Sequence, residues 1–316
     1  MKATSGRLLT RLGLVTISVL MIAVFLRPAS AQLPVLPGLS ASAPHLTFGP
    51  GDVFVSTENG GPPEWWNADG TFHSVLASVL PGSSAEGMRF DAAGNLYLTH
   101  WWPTQAIEVF NNSGLTQGTF GSGYNCQPHA IAFDAAGNAY VGQAACTGAV
   151  LKFPPGGGPP IAAYFVTPEN FGSFWVELAA DGCTLFYTSA GPNVKRFNVC
   201  TNAQLSDFNQ APVPGGVAHG LRLLPDGGVL VSTGAVISRL DASGALVQTY
   251  SAPTSDVQFW AGLDLVGDGT FWATNYYAYY AYWGTRPNVY KFDLATGAAL
   301  ASFNTGTPVV DVVVSR

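Results

Sequence analysis

The segment EGMRFDAAGNLYLTH (Glu86–His100) returns 43 residues later as HAIAFDAAGNAYVGQ (His129–Gln143). A chain that repeats itself at such an interval is built from one supersecondary unit used several times, so the period constrains the fold before any single residue does. Further copies begin at His45 (HLTFGPGDVFVSTE), Phe174 (FWVELAADGCTLFYTS), His219 (HGLRLLPDGGVLVSTG) and Ala261 (AGLDLVGDGTFWATN), with a half-copy, PVVDVVVSR, at Pro308. The matching apolar residue, the anchor, falls at Phe48, Phe90, Phe133, Leu178, Leu223, Leu265 and Val312, at spacings of 42, 43, 45, 45, 42 and 47.

Each unit has the same internal grammar. An alternating run meets a turn rich in Gly, Asp and Asn. A second run follows (NLYLT, GVLVST), then a third (AIEVF, AVLKF, VISRL, NVYKF), a turn such as NNSG or DASG, and a fourth (LTQGTF, ALVQTY). Period-2 strands joined by turn residues form a four-stranded antiparallel sheet. Repetition of that sheet at 42–47 residues predicts an all-β, six-bladed β-propeller spanning residues 45–316, with Val309–Ser315 as a C-terminal strand closing the ring against the first blade. Seven blades is the alternative count.

The termini and composition narrow the setting. Lys2, Arg7 and Arg11 precede an apolar run, Leu12–Leu26, and Ala29-Ser30-Ala31 forms a small-x-small cleavage site, so residues 1–31 read as a signal peptide and 32–44 (QLPVLPGLSASAP) as a linker. The run is short of the roughly 20 residues of a spanning helix; a retained anchor is the alternative. Losing residues 1–31 removes four basic side chains and no acid, moving the formal charge from −6 to −10. Such a chain is a poor nucleic-acid binder, because that affinity comes from basic charge. The expected location is secreted or periplasmic, with no membrane span after cleavage, and the expected state a monomer. In a hairpin, opposed residues have a constant index sum. Cys126 and Cys146 centre on the DAAGN turn, and Cys183 and Cys200 on the AGPN turn, which selects the pairs 126–146 and 183–200.

The register also points to a site. Four residues before each anchor is the start of the inner, channel-lining strand: Glu86, His129, Phe174, His219, Ala261 and Pro308, with Pro44 in the first copy. Ten residues after the anchor is the end of the second strand, on the same face: Glu58, His100, Gln143, Ser189, Thr233 and Asn275. Histidine beside carboxylate suits a transition metal or acid/base work near neutral pH. Glu86, His129 and His219 are therefore candidate metal ligands, for zinc or calcium. His129, His219 and His100 are candidate catalytic groups. His45 falls one residue past the first ring, and His73 on an outer strand. The same face is expected to carry aromatic loops holding Trp65–Trp66, Trp101–Trp102 and Tyr276–Trp283, followed by Arg286. Glu58, Asn275, Gln143, Trp101, Trp102 and Tyr276 are the candidate substrate-binding residues.

The phrases GMRFDAAGNLYLTH, HAIAFDAAGNAYVG and HGLRLLPDGGVLVST resemble NHL-type propeller repeats and are similar to the gluconolactonase (senescence-marker-protein-like) family of six-bladed, calcium- or zinc-dependent lactonases. The resemblance covers nearly all of 45–316. It implies metal ligands of Glu, Asn, Asn and Asp type at inner-strand starts. Glu86 sits where that family's first Glu would, while His129 and His219 replace Asn or Asp and Phe174 has no ligand atom. The His-rich pattern also resembles propeller lyases, the peptidyl-amidating and virginiamycin B lyases. Two functions follow. One is an exported metal-assisted hydrolase or lyase. The other is a non-catalytic propeller that recognises a small molecule, glycan, peptide or envelope partner through its aromatic rim.

Overall fold

One turn, used repeatedly, sets the hairpins. In Asp91–Asn95 the Asp91 Oδ1 accepts from the backbone N–H groups of Ala93 and Asn95, and Gly94 takes a φ of 80°. Asp134 does the same for Ala136 and Asn138, and Asp241 for Ser243 and Ala245. An Asp side chain that satisfies its own turn, followed by glycine in the left-handed region, reverses the chain tightly and pins the register of the flanking strands. Phe90 thus pairs with Leu96, and Phe133 with Ala139.

The computed structural model describes residues 46–253, 258–278 and 284–316. The expected signal peptide and linker, Pro44, His45 and Tyr279–Trp283 lie outside the described residues. In chain order the strands are β1 (Val53–Thr57), β2 (Glu64–Trp66) and β3 (Phe72–Val75); β4 (Ser84–Phe90), β5 (Leu96–Trp102), β6 (Ala106–Phe110) and β7 (Thr116–Phe120); β8 (Pro128–Phe133), β9 (Ala139–Gln143), β10 (Val150–Phe153) and β11 (Ala162–Tyr164). Then follow β12 (Trp175–Leu178), β13 (Thr184–Thr188), β14 (Lys195–Asn198) and β15 (Ala203–Gln204); β16 (Ala218–Leu223), β17 (Val229–Thr233), β18 (Ile237–Leu240) and β19 (Leu246–Tyr250); β20 (Trp260–Leu265), β21 (Thr270–Asn275), β22 (Val289–Asp293) and β23 (Ala299–Phe303); and β24 (Val309–Val314). They form six four-stranded antiparallel sheets. Each is a blade made of consecutive strands, except that β24 supplies the inner strand of the blade containing β1, β2 and β3. The expected six-bladed propeller and its C-terminal closure are what the chain forms.

The closure corrects the register of the first blade. Val314 pairs with Val53 as Phe90 pairs with Leu96, so the anchor of the last copy is Val314 and not Val312. Phe48 is not in a strand; its ring packs against Phe54, Trp65 and Phe90 at centroid distances of 4.5, 5.0 and 5.8 Å. The residue equivalent to Glu86 in this blade is therefore Val310, not Pro308 or Pro44. Trp65 and Trp66 also belong to the core and not to a rim. They lie buried in β2, with their indole N–H groups donated to Asp52 (2.7 Å) and Glu64 (3.0 Å). His73 stacks on Trp65 at 3.8 Å.

Both expected disulfides are present, with Cα–Cα distances of 5.7 Å (Cys126–Cys146) and 5.2 Å (Cys183–Cys200). The cysteines sit just outside the paired strand ends, clamping the β8–β9 and β13–β14 segments. Among the described residues, no helix is long and apolar enough to cross a membrane.

Neighbouring blades are stitched at the level of the inner strands. The Thr188 hydroxyl accepts from the N–H of Trp175 and donates to the His219 carbonyl of the next blade at 2.6 Å. Thr274 accepts from Gly262 N–H and donates to Val310 O at 2.7 Å, and Ser232 links Gly220 N–H to Ala261 O in the same way. Thr99 donates to His129 O at 2.9 Å. Thr274→Val keeps the shape but leaves a buried N–H and a buried C=O without their partner. The expected cost is about 1–3 kcal/mol of stability by urea unfolding. A loss below about 0.5 kcal/mol, the size of an ordinary surface change, would show that the stitch is dispensable.

Candidate functional site

The inner-strand starts meet at one end of the channel. Glu86, His129, Phe174, His219, Ala261 and Val310, one from each blade, line a cavity of about 190 Å³ together with Trp175, Phe259, Glu58, Trp101 and Tyr276. A local feature of the sequence puts them there. In three blades the ring residue is followed by glycine, and a Cβ at Gly87 or Gly220 would collide with the carbonyl of His129 or Ala261 next door. The small residue lets blades close to the distance at which their ring side chains share one cup.

The second expected ring is displaced by one residue, and the pleat turns most of it away. By strand pairing, Thr57 is the counterpart of His100, Gln143, Ser189, Thr233 and Asn275, while Glu58 matches Trp101 and Tyr276. Side chains alternate along a strand, so Glu58, Trp101 and Tyr276 face the cavity and the other set does not. Gln143 accepts from Asn125 N–H and donates to Ala149 O. Asn275 accepts from Phe259 N–H, and Thr233 donates to Pro214 O. The buried His100 approaches Glu108 with Nε2 at 3.4 Å from Oε2. Gln143, Asn275 and Thr233 hold loops to strands. His100, Gln143 and Asn275 thus lie outside the cavity, against the expectation for them. Trp102, also expected to bind substrate, is 61% exposed beyond the cavity lining, as is Phe171 at 51%. Arg286 is not among the lining residues either. Sequence reasoning missed Trp175, Phe259 and Val310. Phe259 precedes its ring residue by two positions, and an aromatic pair flanking an inner-strand start (Phe259-Trp260, Phe174-Trp175) was the available signal.

Burial dominates the electrostatics of the cup. Desolvation, with the nearby Glu58 and Asp311 carboxylates, holds the Glu86 pKa well above the carboxylate range. Desolvation depresses His129 to about 3, with His219 adding to the effect, and desolvation lowers His219 to about 4. At neutral pH the cup therefore presents two neutral imidazoles beside a Glu86 carboxyl that holds its proton more tightly than usual. Glu86 Oε2 lies 3.3 Å from His129 Nε2, an acid–base contact. Tyr276 donates its hydroxyl to Glu58 Oε1 at 2.9 Å.

The three expected metal ligands do not come together. The Phe174 ring stands between the imidazoles, 3.7 Å from His129 and 4.9 Å from His219. Among the described residues no three His, Cys, Asp or Glu side chains converge as a ligand set. The polar chemistry of the cup rests on the Glu86–His129 pair, set among aromatic walls.

Deeper in the channel, charge replaces apolar surface. Arg89 forms a two-pronged ion pair with Glu177 at 2.7 and 3.0 Å, reaching from the second blade to the fourth past the small Ala132 of the third. The buried Arg222 joins Glu177 (3.0 Å) to Asp264 (2.8 Å). This girdle lies across the channel, and the aromatic cup sits above it.

No protein-family model matches this chain, and no curated protein matches its sequence. Solved structures do. A nidogen/laminin complex is similar at TM-score 0.68 and 13% identity, over 84% of this chain and 98% of that one. A protein of unknown function from Bacteroides caccae is similar at 0.67 and 16%, over 85% and 100%. A streptogramin B lyase is similar at 0.57 and 14%, over 79% and 78%. The chain has the propeller fold. At these identities the likeness carries nothing about chemistry.

Glu86 makes a signed prediction. Its folded pKa is raised, so its contribution to stability is full below the unfolded value of 4.5 and is lost as pH rises toward the folded pKa. The isostere Glu86→Gln lacks that loss. Its stability relative to the parent should therefore rise between pH 5 and pH 8 in denaturant titrations. A constant or falling difference would show that Glu86 is ionised in the fold.

Proposed function

We propose that this protein is an exported, non-catalytic binding propeller whose aromatic cup takes a small ligand at the channel mouth. The observation that carries this reading is the makeup of the cup: all six inner-strand starts contribute, and the walls are Trp101, Phe174, Trp175, Phe259 and Tyr276. Concave, mostly apolar sites with a few placed polar groups are how proteins hold small molecules. At about 190 Å³ the cup is smaller than the about 300–1,000 Å³ pockets that take drug-sized ligands, which favours a compact ligand or one protruding group of a larger partner. Export is supported by the leader-like N-terminus and by two disulfides, which persist in oxidising compartments. The resemblance to NHL repeats, which serve as interaction platforms, is consistent with it.

The Glu86–His129 contact favours a second reading. A carboxyl whose pKa is raised by burial and that touches an imidazole is suited to general acid work on a lactone or an eliminating substrate.

Ligand-observed NMR with a set of small fragments, followed by the intrinsic tryptophan fluorescence of hits, tests the first reading. Trp101→Ala and Phe174→Ala should each weaken the hits by about tenfold or more. Fragments that bind equally well to both variants would place the site elsewhere. Turnover of lactones by the parent that disappears in Glu86→Gln would replace the binding reading with the catalytic one.

A further inference from the structure

We infer that the cup recognises a small organic cation, a methylated ammonium group held against the faces of Trp101, Phe174, Phe259 and Tyr276. The inference rests on the small-ligand reading and adds the charge of the ligand. The aromatic residues come from three separate blades: Trp101 is the penultimate residue of β5, Phe174 leads into β12, and Phe259 and Tyr276 flank β20 and β21. They therefore converge from around the channel axis and do not form a one-sided stack.

Three of the four rings are fixed in place. Phe174 contacts both imidazoles. Phe259 lies 4.7 Å from His219 and 4.8 Å from Tyr277. Tyr276 is tethered by its hydroxyl to Glu58. A ring of preorganised π-faces attracts a cation by its quadrupole, and an alkylated ammonium loses less hydration than a bare one on entering.

The polar groups do not oppose a cation. Among the described residues, the lining holds two carboxyl side chains, Glu58 and Glu86, and no lysine or arginine. His129 and His219 are held neutral by burial and so do not repel a cation. An anion would meet carboxyl oxygens and no cationic partner. A neutral sugar would find few donors and acceptors on mostly apolar walls.

The test uses choline and neopentyl carbinol, its uncharged carbon isostere, titrated into the purified full-length protein with calorimetric and tryptophan-fluorescence readouts. Choline should saturate the protein and bind at least about tenfold tighter than the isostere. Phe174→Leu keeps an apolar wall but removes a π-face. It should lower choline affinity by several-fold and leave the isostere unchanged, with an unaltered unfolding midpoint confirming the fold. Equal or tighter binding of the isostere would overturn the cationic ligand while preserving the small-ligand reading. No binding of choline, with neutral fragments still bound in a Phe174-dependent way, would do the same. Loss of all Phe174-dependent binding would remove both.

Discussion

The structure depends on a hydroxyl placed at one equivalent position near the end of the second strand of a blade. Thr188, Ser232 and Thr274 each take an N–H from their own inner strand and give a proton to the carbonyl of the next blade's ring residue. Thr99 reaches Gly87 O and His129 O. Where the position is glycine, at Gly142, the Gln143 N–H donates to Ser173 Oγ instead. Where the chain closes on itself, Asp311 accepts from Met88 N–H while its own N–H is taken by Ser56. Every blade junction thus has a polar link at the same depth. Buried backbone groups must find partners, and here the partners lie across the blade boundary. One contact satisfies a strand and sets the spacing of the ring.

That arrangement frees the ring side chains. Their backbones are fixed by the links, so Glu86, His129, Phe174, His219, Ala261 and Val310 can differ without disturbing the fold. The cup they form is a place where six positions vary on a constant frame. The shared FDAAGN segments serve that frame through their Asp-capped turns, and they occur at the end of the inner hairpin away from the cup.

Much of this was legible in the residues, and the failures have physical causes. The period, the blade count, the closure and both cysteine pairs follow from spacing, because turn chemistry and strand alternation are local. Five of the six ring residues were legible for the same reason. The sixth was not. PVVDVVVSR is a run of valines, and a shift of two residues along it preserves the alternation, so nothing in the segment separates Val312 from Val314 as the anchor. Trp65–Trp66 read as a loop because they follow Gly-Gly-Pro-Pro. Their place in β2 is decided by the buried acceptors Asp52 and Glu64, which lie thirteen residues before Trp65 and two before Trp66. The second ring failed by parity, since one residue of misalignment along a strand exchanges the two faces. The separation of His129 from His219 by a phenylalanine ring is a tertiary fact that spacing does not carry.

Parity also explains how one strand lines the channel at two depths with opposite chemistry. Glu86 and Arg89 are three residues apart, as are His219 and Arg222, and Ala261 and Asp264. In a regular strand such residues face opposite sides. Here the register shifts between Ala85 and Met88, between Ala218 and Leu221, and between Trp260 and Leu263. Each shift is a bulge that turns the chain by one position, and so both members of each pair reach the channel. In two of these three blades, the fifth and the sixth, the bulged N–H, on Gly220 or Gly262, is the one that the stitching hydroxyl accepts. The irregularity that would cost a hydrogen bond is thus placed where a neighbouring strand can supply it. The upper residue of each pair then lies in a dry aromatic cup and the lower in a network of paired charges. The girdle of Arg89, Glu177, Arg222 and Asp264 keeps its ions matched below, and the cup above stays free to bind.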